Sequence, residues 1–357
     1  MSLSIAEIKQ LLDLRSDTST LPTTHMWEAM AKAELGDGGR VDLTGRGEDP
    51  TVYQLEKLAA EVVGKEEAMY IASGSLANHT ALLSLTERGD QILVERNAHI
   101  YINEKMDFLP RYGDLRPVFY HLNADYQIET GELAQLLSDY EIKVLCLENT
   151  HNHSGGTCLT PECTREVCQL AHAQGIHVHL DGARIFNAAV AQKVDVKDLT
   201  GPVDSVMFCV SKGLCAPVGS LLVGSADFIK QARAVGKMLG TPMRQAGVIA
   251  AAGIVALKEN VERLAEDHAK AQKLGQLLAG IDKVLMDPKA NKTDFIYLDV
   301  APTGLNAQQV VDALRERGLL AAKMGETNVR LAVHKDISWA DVERAAAIVK
   351  EYFTSLK

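Results

Sequence analysis

Four stretches of this 357-residue chain end an apolar run in polar residues that can do chemistry. Asp181 closes Ile176–Leu180, and Lys212 follows Val206–Ser211 and precedes Gly213. In an open α/β sheet, ligands bind beyond the carboxyl ends of the strands, so the two charges can point into one cleft. A buried carboxylate without a cation costs several kcal/mol or takes up a proton. Asp181 therefore needs a partner, either Lys212 in a plain salt bridge or a cofactor cation held between them. The third stretch is Ser73-Gly74-Ser75, after Met69–Ala72. Two hydroxyls and a glycine opening a helix either cap it or cradle a phosphate on its N–H groups. The fourth is Glu148-Asn149-Thr150-His151-Asn152-His153, after Val144–Leu147. Imidazole titrates near neutral pH and suits acid–base work. His151 and His153, like His177 and His179, also form an H-x-H pair whose members share a strand face. No further ligand cluster accompanies either pair, so no metal is expected.

The elements that must position these residues follow from the apolar rhythm. Strands are predicted at Ala68–Ala72, Gln91–Val94, Arg116–Phe119, Lys143–Leu147, His177–Leu180, Ser205–Val210 and Ser220–Val223, alternating with helical patterns. That alternation predicts an α/β fold: a mostly parallel seven-stranded sheet with helices on both faces. Asp49-Pro50 and Thr160-Pro161 each place a capping side chain before a proline suited to a first helical turn, and Gly175 ends the second of these helices. A long helix pattern runs from Gly247 to about Gly280. Beyond it, strand Phe295–Val300, helix Ala307–Arg317, Leu319–Ala322, strand Val329–Val333 and helix Trp339–Tyr352 predict a smaller α+β C-terminal domain. The expected organisation is an N-terminal segment, 1–25, packing on both parts, a large domain, 26–255, and a small domain, 256–357. Gly36 to Glu48 holds five glycines in thirteen residues, too many for a packed element. It reads equally as a mobile functional loop or a surface excursion.

Composition narrows the function. Lys plus Arg number 37 against 47 Asp plus Glu, a net charge of −10 with no basic block, which disfavours nucleic acid and anionic membrane as partners. Hydrophobic residues at 46% supply a large core. The longest apolar stretch, Ala246–Leu257, is far short of the ~20 residues of a membrane span. Met1–Ile8 lacks the features of a secretion signal, and six cysteines without a C-x-x-C pair fit reduced thiols in the cytoplasm.

Six motifs resemble the low-specificity L-threonine aldolases, in order and over nearly the whole chain: Asp13–Thr18, Gly47–Thr51, Glu148–Asn152, His179–Asn187, Asp204–Cys209 with Ser211–Ser220, and Met243–Gly247. The resemblance implies the aspartate-aminotransferase-like fold and pyridoxal 5'-phosphate (PLP). It implies that Lys212 holds the cofactor aldehyde as a Schiff base, Asp181 pairs with the pyridine nitrogen, Ser73, Gly74 and Ser75 cradle the phosphate, and His99 stacks on the ring. Arg184 and Arg330, helped by Ser16, match the clamp on the substrate carboxylate. Arg184 is expected one turn into the helix after Asp181 if that helix is regular, and Arg330 on the face of its strand opposite Val329, Leu331 and Val333. His99 and His151 are both candidates for assisting the β-hydroxyl. Lys237 and Arg244 match residues that reach a neighbouring subunit's phosphate, implying a homodimer or homotetramer with shared sites; an intrachain ion pair is the rival account.

The implied reaction is retro-aldol cleavage of L-threonine, L-allo-threonine and related β-hydroxy-α-amino acids to glycine and an aldehyde. Two departures keep rivals in play. The loop before Asp49 is longer than in the family, with Arg46 where a tyrosine stands, and Thr241-Pro242 replaces a glycine pair. A β-eliminating lyase is the nearest alternative; a non-catalytic PLP-binding protein or a metal-dependent hydrolase built on the H-x-H pairs lies further off.

Overall fold

A computed structural model describes residues 11–43, 45–287, 290 and 292–356. The described chain divides into two units: a larger one within residues 22–152 and 158–261, and a smaller one within 11–21, 153–157 and 262–356. The first ten residues lie outside the described part, so the expected packing of the 1–25 segment is followed only from residue 11.

The larger unit holds seven strands: β1 Glu67–Ile71, β2 Gln91–Glu95, β3 Arg116–Tyr120, β4 Ile142–Glu148, β5 His177–Asp181, β6 Ser205–Cys209 and β7 Ser220–Gly224. They form one sheet in the order β1-β7-β6-β5-β4-β2-β3. Every pairing is parallel except those of β7, which runs antiparallel to both β1 and β6. The strands are nearly continuous apolar runs because both faces are covered. Met69, Ile71, Met207, Cys209 and Leu222 pack with residues of helices Gly74–Leu85 and Ala226–Leu239. Phe208, of opposite parity, meets Phe186 of helix Ile185–Gln192 edge to face at 5.3 Å.

Local signals start the helices where the capping residues require. Asp49 accepts hydrogen bonds from Thr51 N and Val52 N ahead of helix Pro50–Val63, and Thr160 accepts from Cys163 N ahead of Pro161–His172. That second helix ends at His172, three residues before Gly175, which at φ +71° turns the chain into β5.

The single helix expected from Gly247 to Gly280 is two, Gly247–Glu259 and Leu264–Leu278. Asn260 ends the first by donating its side-chain amide to Leu214 O at 2.8 Å, a tertiary bond that periodicity cannot reveal. The break coincides with the boundary between the units.

The smaller unit contains β8 Phe295–Asp299, β9 Ala322–Met324 and β10 Asn328–Ala332, an antiparallel sheet in the order β9-β10-β8. Its core joins Leu274, Leu298, Val310, Leu331, Val349 and Phe353 from this sheet and three helices. Leu12 and Leu14 belong to the same core, and Leu12–Asp13 pairs in parallel with Leu319–Leu320.

Candidate active site

The carboxyl edge of β4, β5 and β6 gathers the chemistry. Asp181, last residue of β5, accepts from Asn78 Nδ2 at 3.0 Å and from Ala183 N at 3.1 Å. Its register partner on β4 is Glu148. Burial pushes the Asp181 carboxyl up to about 6, and the charges of Glu148 and Glu104 push the same way, against His99 and Lys212. Lys212 is therefore within the field of Asp181. It sits half-buried in the β6–β7 connection. That turn is closed by Val210 N to Gly219 O at 3.1 Å and Ala216 N to Val210 O at 2.9 Å. Gly219 has φ +118°, and a Cβ there would fall 2.4 Å from the Tyr70 ring, so only glycine permits the return.

Asn78 is the hub of the site. One amide donates to Asp181 Oδ2 and Glu104 Oε2, both at 3.0 Å, while its oxygen lies 3.1 Å from His179 Nε2. The two carboxylates fix which way the amide points, so His179 donates to it. His179 Nδ1 and His177 Nε2 both lie on Ser205 Oγ, at 2.9 and 2.8 Å. One H-x-H pair is thus a hydrogen-bond chain running into the site, and burial drives the His179 imidazole down to about 3, keeping it neutral.

His99 approaches the same carboxylates. Its Nδ1 lies 3.4 Å from Glu104 Oε1 and its backbone N donates to Glu148 Oε2 at 2.6 Å. Ligand atoms of His99, Glu104 and Asp181 all fall within 4.8 Å of one another. Burial lowers the His99 pKa, but Glu104, Asp181 and Glu148 outweigh it and leave it above the ordinary value. His151 is buried just beyond β4, with Nε2 at 3.1 Å from Glu95 Oε2 and 4.0 Å from Glu148 Oε2. There too burial lowers the pKa and the carboxylates, Glu148 foremost, raise it on balance.

Ser73 caps helix Gly74–Leu85, accepting from Leu76 N at 3.3 Å, and the first turn stays exposed or half-exposed. A Cβ on Gly74 would come 2.7 Å from Met207 Cε and 3.0 Å from Cys209 Sγ. The glycine lets the helix start hard against β6, at the edge that carries Lys212. Ser75 makes a side-chain hydrogen bond to Glu104. Arg184 is buried, but it precedes helix Ile185–Gln192 instead of lying a turn inside it. Gly182 N bonds Met207 O and Ile185 N bonds Gly182 O, so the tight turn after β5 uses up those residues first.

In the smaller unit Arg330 lies on β10, 7% exposed, with Nη2 donating to Arg15 O at 2.9 Å and its guanidinium 4.5 Å over the Phe295 ring. Ser16, next to Arg15, caps the turn Asp17–Ser19. The structure thus brings Ser16 and Arg330 into one neighbourhood.

Lys237 lies in helix Ala226–Leu239, and Arg244 lies five residues beyond its end. Both are exposed, and Arg244 pairs with Asp37 in its own chain at 2.8 Å. A cavity of about 360 Å³ separates the loop residues Gly38, Val41 and Leu43 from Lys230, Lys237 and Met243. Arg46 of this loop pairs with Glu67 and lies 3.7 Å from Glu56 and 4.6 Å over the Tyr53 ring, which ties the loop down. Among the described residues no cysteine forms a disulfide, and no helix is long and apolar enough to cross a membrane.

Sequence reasoning missed Asn78, Glu104 and Glu95. Asn78 and Glu95 carried a usable signal: each is a polar residue in an apolar element, and such residues are rarely buried without a task.

A mostly parallel α/β sheet with an aspartate and a lysine at neighbouring strand ends, beside an open helix N-terminus, is the architecture of an enzyme. The model of the β-eliminating lyase family matches residues 13–301, and the chain belongs to that family. It is 40% identical over 344 residues to the low specificity L-threonine aldolase of Escherichia coli K12, covering 94% of this chain and 98% of the relative. It is 37% identical to low-specificity L-threonine aldolase 1 of Arabidopsis thaliana, covering 94% of each. Among solved structures, Leishmania major threonine aldolase superposes with a TM-score of 0.75 at 18% identity, covering 96% of this chain and 99% of that one. Sphingomonas wittichii serine palmitoyltransferase gives 0.76 at 17% identity, covering 97% and 88%. These two show the shared fold.

Proposed function

We propose that the chain is a PLP-dependent aldolase cleaving L-threonine and L-allo-threonine, with related β-hydroxy-α-amino acids, to glycine and an aldehyde. The observation that carries it is Asp181: a buried carboxylate held near pKa 6 by its burial and by two neighbouring carboxylates. A cation set against it relieves that strain, and the protonated ring nitrogen of PLP is such a cation. The names and the coverage of the relatives support the substrate.

When bound, PLP supplies an electron sink for the bond broken at Cα. Lys212 would provide the amine for its aldehyde, Asp181 would hold its ring nitrogen, His99 would face its ring, and the Ser73-Gly74-Ser75 turn would take its phosphate on N–H and hydroxyl donors. Arg184, Arg330 and Ser16 bind the substrate carboxylate, the guanidinium groups by paired hydrogen bonds. His99 and His151 are the imidazoles for the β-hydroxyl proton. Lys237 and Arg244 serve the phosphate of a neighbouring subunit, so the active assembly is a homodimer or homotetramer. Buried cysteines without disulfides support a cytoplasmic setting.

The matched family's description favours one second reading, β-elimination from the same bound amino acid. Product analysis separates the two. Acetaldehyde and glycine from L-threonine in equal amounts support the aldolase; oxobutanoate and ammonia from L-threonine, or pyruvate and ammonia from L-serine, without aldehyde, replace it with the lyase.

A further inference from the structure

We propose that Glu95 and His151 form a dyad in which the carboxylate fixes the imidazole with its Nε2–H toward Glu95, leaving Nδ1 to take the substrate's β-hydroxyl proton. The inference deepens the aldolase reading and rests on it for the identity of the substrate.

Neighbouring parallel strands β2 and β4 bring the pair together: Glu95 ends β2, and His151 lies three residues past the end of β4. His151 Nε2 is 3.1 Å from Glu95 Oε2. Glu95 is itself held in place, for Oε2 accepts from Asn97 N at 2.5 Å and Oε1 from Asn97 Nδ2 at 3.2 Å. An ionised carboxylate only accepts, so the imidazole nitrogen facing it must carry hydrogen. Glu148 stands 4.0 Å from the same nitrogen, but its oxygens already receive His99 N and Asn152 N.

The opposite edge of the ring is bare. His151 Nδ1 is buried without a hydrogen-bond partner, and so are Asn149 Oδ1 and Thr150 Oγ1. Three successive side chains past the end of β4 each hold a polar atom away from water with nothing to bond. Leaving such an atom unsatisfied is unfavourable because it forfeits its bond to water, and a group of them at a strand's carboxyl end marks a place for a polar ligand or an ordered water.

The carboxylates facing His151 are Glu95 from β2, Glu148 from β4 and Asp181 from β5. Together they favour the imidazolium, so proton transfer to Nδ1 is supported from three strands. In the step, the hydroxyl proton passes to Nδ1, the O–H pair becomes the second bond of the aldehyde C=O, and the Cα–Cβ pair remains with Cα. Cα then takes up one proton and the imidazole gives one back. All atoms of threonine appear in the two products, and no oxidant or reductant is needed. Glu95 acts through His151, whose Nε2 it holds, and is a positioning residue.

The test uses PLP-loaded enzyme with ¹⁵N-labelled histidine, His151 being assigned from a His151→Asn variant. In the wild type the neutral imidazole is expected as the Nε2–H tautomer; an Nδ1–H tautomer overturns the dyad whatever the variants do. In Glu95→Gln the His151 pKa falls by about one unit or more. The acid limb of the kcat/KM profile then moves to lower pH by the same amount, and kcat drops about 10- to 100-fold with KM within about twofold. An unmoved imidazole pKa overturns the coupling. A moved pKa with an unmoved acid limb and kcat overturns His151 as the proton acceptor. If the wild type releases no aldehyde from any β-hydroxy amino acid, the proposed function fails and takes the role of Nδ1 with it. The imidazole signals still judge the dyad by themselves.

Discussion

Glu56 and Asp181 are two carboxylates of the larger unit with the same exposure, 3%, and opposite company. Glu56 receives both terminal nitrogens of Arg233, at 2.9 and 3.4 Å, and Tyr70 N at 2.9 Å; Arg46 stands 3.7 Å away. Arg233 goes on to donate to Ala68 O. The pair fastens helix Pro50–Val63, β1 and helix Ala226–Leu239 to one another, and it is complete. Burial pushes the Glu56 pKa up, and Arg233 leads the opposing influences. For Asp181, burial is reinforced by Glu148 and Glu104. Its hydrogen bonds come from the neutral Asn78 amide and Ala183 N–H. Equal burial therefore means different things. One carboxylate is neutralised by the fold, whereas the other is held ready for a cation that the fold does not fully supply.

The largest expected effect lies on the Asp181 side. Lys212→Ala removes the amine proposed to bond the cofactor, so kcat should fall at least about a thousandfold with the fold intact. Circular dichroism and cofactor absorbance, read beside acetaldehyde release, check this. Near-normal turnover would remove Lys212 from the chemistry and leave Asp181 a merely strained residue.

The contrast itself is tested by neutralising each side. Arg233→Ala leaves Glu56 buried without its main partner and should cost about 3–5 kcal/mol in chemical denaturation. Asp181→Asn should do the reverse in the cofactor-free protein. The folded pKa of Asp181 is raised from 3.8 to about 6. Its contribution to stability is thus fully present below about pH 4 and lost as pH rises through 6. Wild type and asparagine variant should diverge across that window, the variant becoming more stable by on the order of 2–3 kcal/mol above it, since each unit is worth about 1.4 kcal/mol. Cofactor binding should be weaker in the variant. If Asp181→Asn destabilises as Arg233→Ala does, the two carboxylates are alike and the comparison collapses.

How much of this was legible depends on how far apart in the chain the partners lie. The seven strands could be read because each is a short apolar run, and Asp181 and Lys212 because each ends one. Asp49 and Thr160 announce helix starts through bonds to residues two or three positions away. Asn78 and Asp181 are 103 residues apart, and Glu95 and His151 are 56 apart. No local pattern encodes such pairings; they exist only once β2, β4 and β5 lie side by side. The broken helix fails for the same reason, its stop resting on Asn260 reaching Leu214. Arg184 stands at the start of its helix because the tight turn after β5 takes up the residues that regular helical spacing would use.

In the smaller unit Arg330 is as buried as a structural arginine, yet it is proposed to bind substrate, so it places a third case between the two carboxylates. Arg330→Lys should lower kcat/KM by about ten- to a hundredfold, or roughly 1–3 kcal/mol, because an ammonium cannot form two parallel bonds to a carboxylate. Cofactor affinity should hold. Equal losses for substrate and cofactor, or a large fall in stability with unchanged kcat/KM, would make it a structural group fixed by Arg15 O and Phe295.

The smallest effect on stability belongs to Arg244, and it is the one that tests whether a visible ion pair is a function or a resting place. The Arg244–Asp37 pair is 2.8 Å long but the arginine side chain is 69% exposed. Exposed pairs of this kind contribute little, since water and side-chain entropy offset most of the attraction. Arg244→Ala should therefore leave the melting temperature of the cofactor-free protein unchanged within about 1 °C. If Arg244 also serves a neighbouring subunit's phosphate, the same variant loses cofactor affinity and activity. Mixing exchanged Arg244→Ala and Lys212→Ala subunits then gives hybrids with one intact site each, and roughly a quarter of wild-type activity should return. Demonstrated subunit exchange with no returning activity would confine Arg244 to its own chain, where Asp37 is its whole account.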